Sequence, residues 1–123
     1  MILVDTSVWI DHLHSAESAL VELLGRDEVG CHPLVIEELA LRSIKQRGDV
    51  LELLGHLGVF PDLTHDEVLN LVEKRRLWGQ GLSAVDAHLL GSVSLVPGAK
   101  LWTRDKRLVA VSRNVGIPLL AER

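Results

Sequence analysis

The first apolar run of the chain, residues 2–4, shows no alternation and stops abruptly at Asp5. A short unbroken run of this kind suits a strand buried on both faces, as in a parallel sheet. The spacing then becomes helical. Residues 7–14 predict a short helix with Asp5 or Thr6 at its start, and AESALVELL at 16–24 predicts an amphipathic one. Residues 28–32 predict a second strand. Pro33 stands where a first helical turn tolerates proline, and PLVIEELALRSIKQR predicts one helix running to Gly48. A further helix is expected over 49–57, then a short extended piece, VFPDL. Thr64 opens a helix to Trp78, with Glu67 completing a capping box. The Gly-Gln-Gly at 79–81 is a joint, Ser83 opens the next helix, and Pro97 and Gly98 close it. KLWT at 100–103 predicts a strand, 105–114 a helix and 117–120 a last short strand. Strands that alternate with helices imply an α/β sandwich with a mostly parallel sheet. No linker divides it, so residues 1–123 are expected to form a single domain.

Composition narrows the class. The chain has 123 residues, enough to bury about two-thirds of its unfolded surface. Apolar residues make up 47 % and mean hydropathy is +0.23, an excess that points to a partner interface. The single cysteine, Cys31, rules out an internal disulfide and fits a reducing compartment. No Cys-x-x-Cys is present to build a zinc site of the usual kind. The N-terminus lacks a basic region, and no run of about 20 apolar residues occurs. Cytoplasmic location without a membrane partner is the expectation. A net charge of −4 argues against nucleic-acid binding by bulk charge alone.

The acids carry more information. Ligands of open α/β sheets bind beyond the carboxyl ends of the strands. Asp5 directly follows the first predicted strand, and Asp105 follows KLWT by two positions. Either could instead cap the next helix. On a helical wheel Asp86 falls in the middle of an apolar arc of Val85, Leu89, Leu90, Val93 and Val96, where a lone carboxylate is costly. It also has capping-box spacing from Ser83. Glu38 shares a face with Arg42 and Lys45, an ordinary ion-pair pattern. Glu37 points between Leu41 and Ile44, so periodicity singles out Glu37 as the odd residue.

MILVDTSVWIDHL, HPLVIEELAL, GLSAVDAHLL and LWTRDKRL, in that order, resemble the successive signatures of PIN-domain ribonucleases. More narrowly, they resemble the toxin component of VapBC-type toxin–antitoxin pairs. The likeness runs from Met1 to about Pro118. It implies a PIN-like three-layer sandwich, with a mostly parallel central sheet flanked by helices. It carries the family's four acids onto Asp5, Glu38, Asp86 and Asp105, as catalytic and metal-holding residues. Thr6 and Thr103 match hydroxyl positions that support the metal. Glu37 and Arg42 stand where such toxins often have glycine or another small residue. The resemblance further implies Mg2+ or Mn2+, one ion or two, and an endoribonuclease that cuts RNA, with tRNA or rRNA expected, to arrest translation. A homodimer and a cognate VapB-type antitoxin that blocks the groove are the expected partners.

The chemistry suits these residues. Hydrolysing a phosphodiester puts charge on the attacking and leaving oxygens, which hard divalent cations stabilise. Magnesium takes carboxylate oxygens and keeps several waters, and manganese accepts the same ligands. With the four acids set aside, acids and bases are equal in number, so the whole −4 equals the expected site. The bases come in clumps. Arg42, Lys45, Arg104 and Lys106 adjoin site acids and are expected phosphate contacts. Aromatics are too few to make base stacking an expected means of recognition, so Trp9, Trp78 and Trp102 are assigned to the core or an interface. His32 and His88 are expected to be structural or to support the site. Rival readings are a PIN nuclease of RNA processing and a binding-only PIN module. A haloacid-dehalogenase-like phosphatase is disfavoured, because Asp5-Thr6-Ser7 lacks that family's second aspartate.

Overall fold

In the computed structural model, which describes residues 1–122, the apolar run at the N-terminus becomes β1 (Ile2–Val4). Two strands flank it, β2 (Val29–Cys31) and β4 (Lys100–Trp102), and β3 (Gly58–Val59) lies outside β2. The order is β3-β2-β1-β4 and every pairing is parallel. Both inner strands are fully buried, as runs without alternation require. Gly30 in β2 has a packing reason: a Cβ there would lie 2.4 Å from the buried Phe60 ring.

Seven helices pack around the sheet among the described residues. They are α1 (Thr6–His14), α2 (Ser18–Gly25), α3 (Pro33–Ala40), α4 (Arg47–His56), α5 (His65–Arg75), α6 (Ala84–Ser94) and α7 (Lys106–Val115). Parallel strands need crossovers, and these helices supply them. The register sets Val4 opposite Trp102, so β1 and β4 end side by side. The amide of Asp5 donates to the Trp102 carbonyl at 2.8 Å and continues the ladder one residue further. Two of the acids marked in the sequence thus leave neighbouring strands on the same rim. None of the described helices is long and apolar enough to cross a membrane.

The structure corrects several expectations. The helix expected from Pro33 to Gly48 is two helices. α3 stops at Ala40, and α4 starts at Arg47 and contains Gly48. Gln46 takes a left-handed conformation with φ 52°, and the Arg47 guanidinium donates to the Ala40 carbonyl at 2.9 Å, one of the acceptors a helix end leaves open. Arg42 and Lys45 therefore do not share a helical face with Glu38. α5 ends at Arg75, not Trp78, because Arg76 turns left-handed at φ 54°. Residues 117–120 make only a single parallel bridge, Leu119 to Leu101. Of the three tryptophans expected in the core or at an interface, Trp9 and Trp102 lie in the core and Trp78 is 58 % exposed.

Candidate active site

Asp5 stands at the N-cap of α1, yet its carboxylate caps nothing. Oδ2 instead accepts from Ser7 Oγ and from Thr103 Oγ1, each at 2.8 Å. Thr103 Oγ1 in turn accepts the amide of Asp105 at 3.1 Å, and Ser7 Oγ accepts the amide of Arg104 at the same distance. Two hydroxyls thus lace the end of β1 to the end of β4. Asp5 is almost wholly buried, and the start of α1 behind it favours negative charge. Ser7 is one of the small oxygen donors that follow Asp5 in the sequence, and only the neighbouring strand shows what it holds.

Asp105 does cap its helix. Oδ1 accepts from the amides of Arg107 and Leu108 at 2.9 and 3.1 Å. Asp86 also closes the capping box: Ser83 Oγ accepts its amide at 3.1 Å, and its Oδ2 accepts the Ser83 amide at 3.0 Å. Capping and a site role are compatible, because a first-turn acid still has an oxygen to spare. Asp86 is partly buried, and burial raises its pKa above the ordinary aspartate value; the bonds from Ser83 pull it down, and the charges of Asp5 and Asp105 push it up again. The three aspartates therefore lie within electrostatic reach of one another.

Glu38 joins from the other side. Its Oε1 accepts from Thr6 Oγ1 at 2.7 Å, which ties α3 to the residue after Asp5. Glu38 is partly buried and Glu37 is exposed. The periodicity that singled out Glu37 is thereby corrected. It assumed a helix long enough to bury Leu41 and Ile44 on one face, and α3 ends before either.

The expected phosphate contacts divide. Arg104 does not face open solvent with free donors. Its guanidinium pairs with Asp11 and Glu17 at 2.7 Å and with Glu122 at 2.8 Å, and it sits 5.9 Å from the Trp102 ring. Hydrogen bonds to these three carboxylates raise its pKa further. The expectation of Arg104 as an RNA contact is corrected: its donors are committed to holding the β4–α7 connection against α1 and the C-terminal residues. Arg42 and Lys45 are exposed on the turn after α3 and line a cleft of about 650 Å³ with Ile10, Leu13 and Glu17 of the α1 side. Lys106 is exposed at the start of α7.

A second cluster was not foreseen. His32 Nε2 and His88 Nδ1 lie 3.5 and 3.8 Å from Asp62 Oδ1, and all three ligand atoms fall within 4.8 Å of one another. Both ring nitrogens are buried without a hydrogen-bond partner. The spacing suits a metal, but the proton count at His32 does not. Its Nδ1 accepts the Leu34 amide at 3.0 Å as the N-cap of α3. A neutral imidazole has one donor and one acceptor, so Nε2 carries the proton and has no lone pair for a cation. We read this cluster as polar packing that joins β2, the segment after β3 and α6. The four acids are spaced more widely, and no three of them bring carboxylate oxygens within 4.8 Å of one another. Magnesium retains waters, so its carboxylates need not all touch it.

The profile of the PIN domain matches residues 2–114. Ribonuclease VapC32 of Mycobacterium tuberculosis, in strains CDC 1551 / Oshkosh and ATCC 25618 / H37Rv, is 70 % identical over 122 residues, covering 99 % of this chain and 98 % of the relative. The crystal structure of PAE2754 from Pyrobaculum aerophilum superposes with a TM-score of 0.61 at 22 % identity, over 89 % of this chain and 83 % of that one. That structure supports the α/β fold alone.

Proposed function

The chain belongs to the PIN-domain family, in its VapC branch, and from that premise we propose that it is a metal-dependent endoribonuclease toxin. The observation that carries the reading is the lacing of Asp5 to Thr103 and Asp105 across two adjacent strand ends, with Asp86 close enough to feel both charges. Among the described residues no lysine or arginine pairs with these acids. Burial, and after it the charges of Asp5 and Asp105, push the Asp86 carboxyl above the ordinary aspartate range, as in a cluster short of positive charge. A donor set made only of hard oxygens fits Mg2+ or Mn2+ and not a soft metal.

Asp5, Asp86 and Asp105 would hold the ion, and Glu38 would hold it or orient a water. Bound there, the cation supplies a more acidic water and stabilises charge on the phosphodiester oxygens. Ser7 and Thr103 fix the Asp5 carboxylate, and Thr6 fixes Glu38, so the acids are set before substrate arrives. Lys106 is exposed next to Asp105, and Arg42 and Lys45 are exposed on the turn after α3; all three suit contact with the RNA backbone. An RNA target such as tRNA or rRNA, a cognate VapB-type antitoxin, a homodimer and a cytoplasmic setting complete the reading. A basic antitoxin side chain entering the acid cluster would inhibit by replacing the metal's charge.

The test is cleavage of total cellular RNA by the purified chain with magnesium or manganese, then with EDTA, beside Asp5→Asn. Discrete cuts that need the metal and vanish in Asp5→Asn are expected. Cuts that persist in EDTA and in Asp5→Asn alike would overturn the reading.

A further inference from the structure

Trp78 is the one tryptophan or phenylalanine ring among the described residues that the fold leaves in solvent. It is 58 % exposed, whereas Trp9, Trp102 and Phe60 are 2 % or less. Burying an indole is among the larger gains a side chain offers, so an exposed one has surface left to cover. Its setting is a fixed presentation, not a loose end. Leu77 beside it is buried, and the Leu77 amide donates to the Val72 carbonyl at 3.0 Å. Gln80 Nε2 donates to the Arg76 carbonyl at 2.7 Å, closing the turn from the other side.

The loop that carries Trp78 runs alongside α7 to the acid rim. At one end the Arg75 guanidinium donates to the Val115 carbonyl, the C-terminal end of α7, at 3.2 Å. At the other end Gly81 lies under the Arg107 side chain, at the N-terminal end of α7. A Cβ on Gly81 would come within 2.8 Å of Arg107 Cδ, and φ of +78° suits glycine there as well. The amide of the same Arg107 is bonded to Asp105 Oδ1 at 2.9 Å. Two residues beyond Gly81, Ser83 caps the helix that carries Asp86. Trp78 thus sits on a short, pinned segment that starts at the far end of α7 and at Gly81–Ser83 reaches the starts of the helices next to Asp105 and Asp86. Arg107 has no carboxylate partner within 4.0 Å among the described residues, and Lys74, Arg75 and Arg76 add exposed positive charge just before the indole.

An exposed indole next to unpaired cations, at the edge of a phosphodiester-cleaving site, has the makings of a platform for single-stranded nucleic acid. The geometry points to Trp78 as a specificity-determining residue that stacks on an unpaired RNA base flanking the cleaved bond, with Arg107 contacting the phosphate beside that base. This rests on the ribonuclease reading. It further requires the RNA to present a loop or unpaired segment at the site, since a base held in a duplex cannot reach the ring.

The experiment measures binding of short fluorescein-labelled single-stranded oligoadenylate, and of an oligomer with the same backbone and no bases, to the full chain. Asp5→Asn serves as the parent so that nothing is cut. Trp78→Ala on that parent is expected to weaken oligoadenylate binding roughly 5- to 100-fold, the range for losing one base–aromatic stack. Trp78→Phe should recover most of it and Trp78→Leu should not, because a flat ring and not bulk is required. The baseless oligomer should bind all four proteins equally. Arg107→Gln should weaken both oligomers and lower the salt dependence of binding. Equal binding of oligoadenylate by the parent and Trp78→Ala, with Trp78→Ala alone cutting RNA as the natural chain does, overturns the stacking role and leaves the nuclease standing. Binding of neither oligomer by any protein, with no RNA cut by the natural chain, overturns both. A parent that is dimeric in sedimentation and a Trp78→Ala form that is monomeric would assign the indole to an interface between copies and overturn the proposal.

Discussion

Thr103 Oγ1 donates to Asp5 Oδ2 at 2.8 Å across ninety-eight residues of sequence, and the same oxygen accepts the amide of Asp105. One hydroxyl thus fixes two acids from two strands. Thr103→Val keeps the shape and removes the hydroxyl. It should destabilise the fold by about 1–3 kcal/mol, the cost of leaving buried polar groups unpaired. It should also weaken Mn2+ binding by about 10- to 100-fold, as loss of a ligand's supporting hydrogen bond does. Calorimetric titration of the variant with Mn2+ reads the second effect, and unchanged affinity would show that Asp5 is positioned without Thr103.

Glu37 and Glu38 are adjacent in sequence and differ in surroundings. Glu38→Gln removes the charge bonded to Thr6 and should cut the rate of RNA cleavage by about 100-fold or more, in the range of losing a group that directs a water or proton. Glu37→Gln changes an exposed side chain and should cleave like the natural chain. Rates measured on one mapped RNA distinguish the two, and the reverse order would restore the helical-periodicity assignment.

Asp86 is raised above the ordinary aspartate value, first by burial and then by the charges of Asp5 and Asp105. Its folded form holds a proton more tightly than its unfolded form. The stability this contributes is present at acid pH and lost as pH rises from the ordinary value, about 4, through the raised one. At neutral pH, without metal, its charge is a strain on the fold. Asp86→Asn imitates the protonated side chain and should raise the melting temperature in EDTA at pH 7 while abolishing cleavage. The difference should close as the pH is taken below about 4. A lower melting temperature for Asp86→Asn at pH 7 would mean the capping box depends on the charge.

His32 is shifted the other way. Burial lowers its pKa most, and the charge of Asp62 offsets part of that. The neutral ring is the form that caps α3, since protonating Nδ1 removes the acceptor for the Leu34 amide. The stability it contributes is therefore fully present above the ordinary histidine value, about 6.5, and lost progressively as pH falls below it. Denaturant unfolding from pH 8 to pH 5 should show this decline. His32→Asn can cap but cannot titrate, so its stability should be flatter across the same range. An equal decline in both proteins would place the titrating group elsewhere.

Much of this protein is decided by local pattern. The unbroken run at 2–4, the capping boxes at Thr64 and Ser83 and the alternation of strands with helices are settled by residues within a few positions of each other. Each appears where the sequence puts it. Asp5, Asp86 and Asp105 stand out by their places at strand ends and a helix start, which are short-range properties; Glu38 does not, because periodicity singles out Glu37 and only the family resemblance points to Glu38. What needed the tertiary structure is whatever depends on a partner far along the chain. Asp5 follows β1 as a helix cap would, and a threonine ninety-eight residues away takes its carboxylate out of the cap. Arg104 stands beside a site acid in sequence, yet three carboxylates from three other segments claim its guanidinium. The break after Ala40 and the exposure of Trp78 belong to the same class. Helix propensity continues through both places, and only packing sets where a helix stops and which ring the core has room to bury.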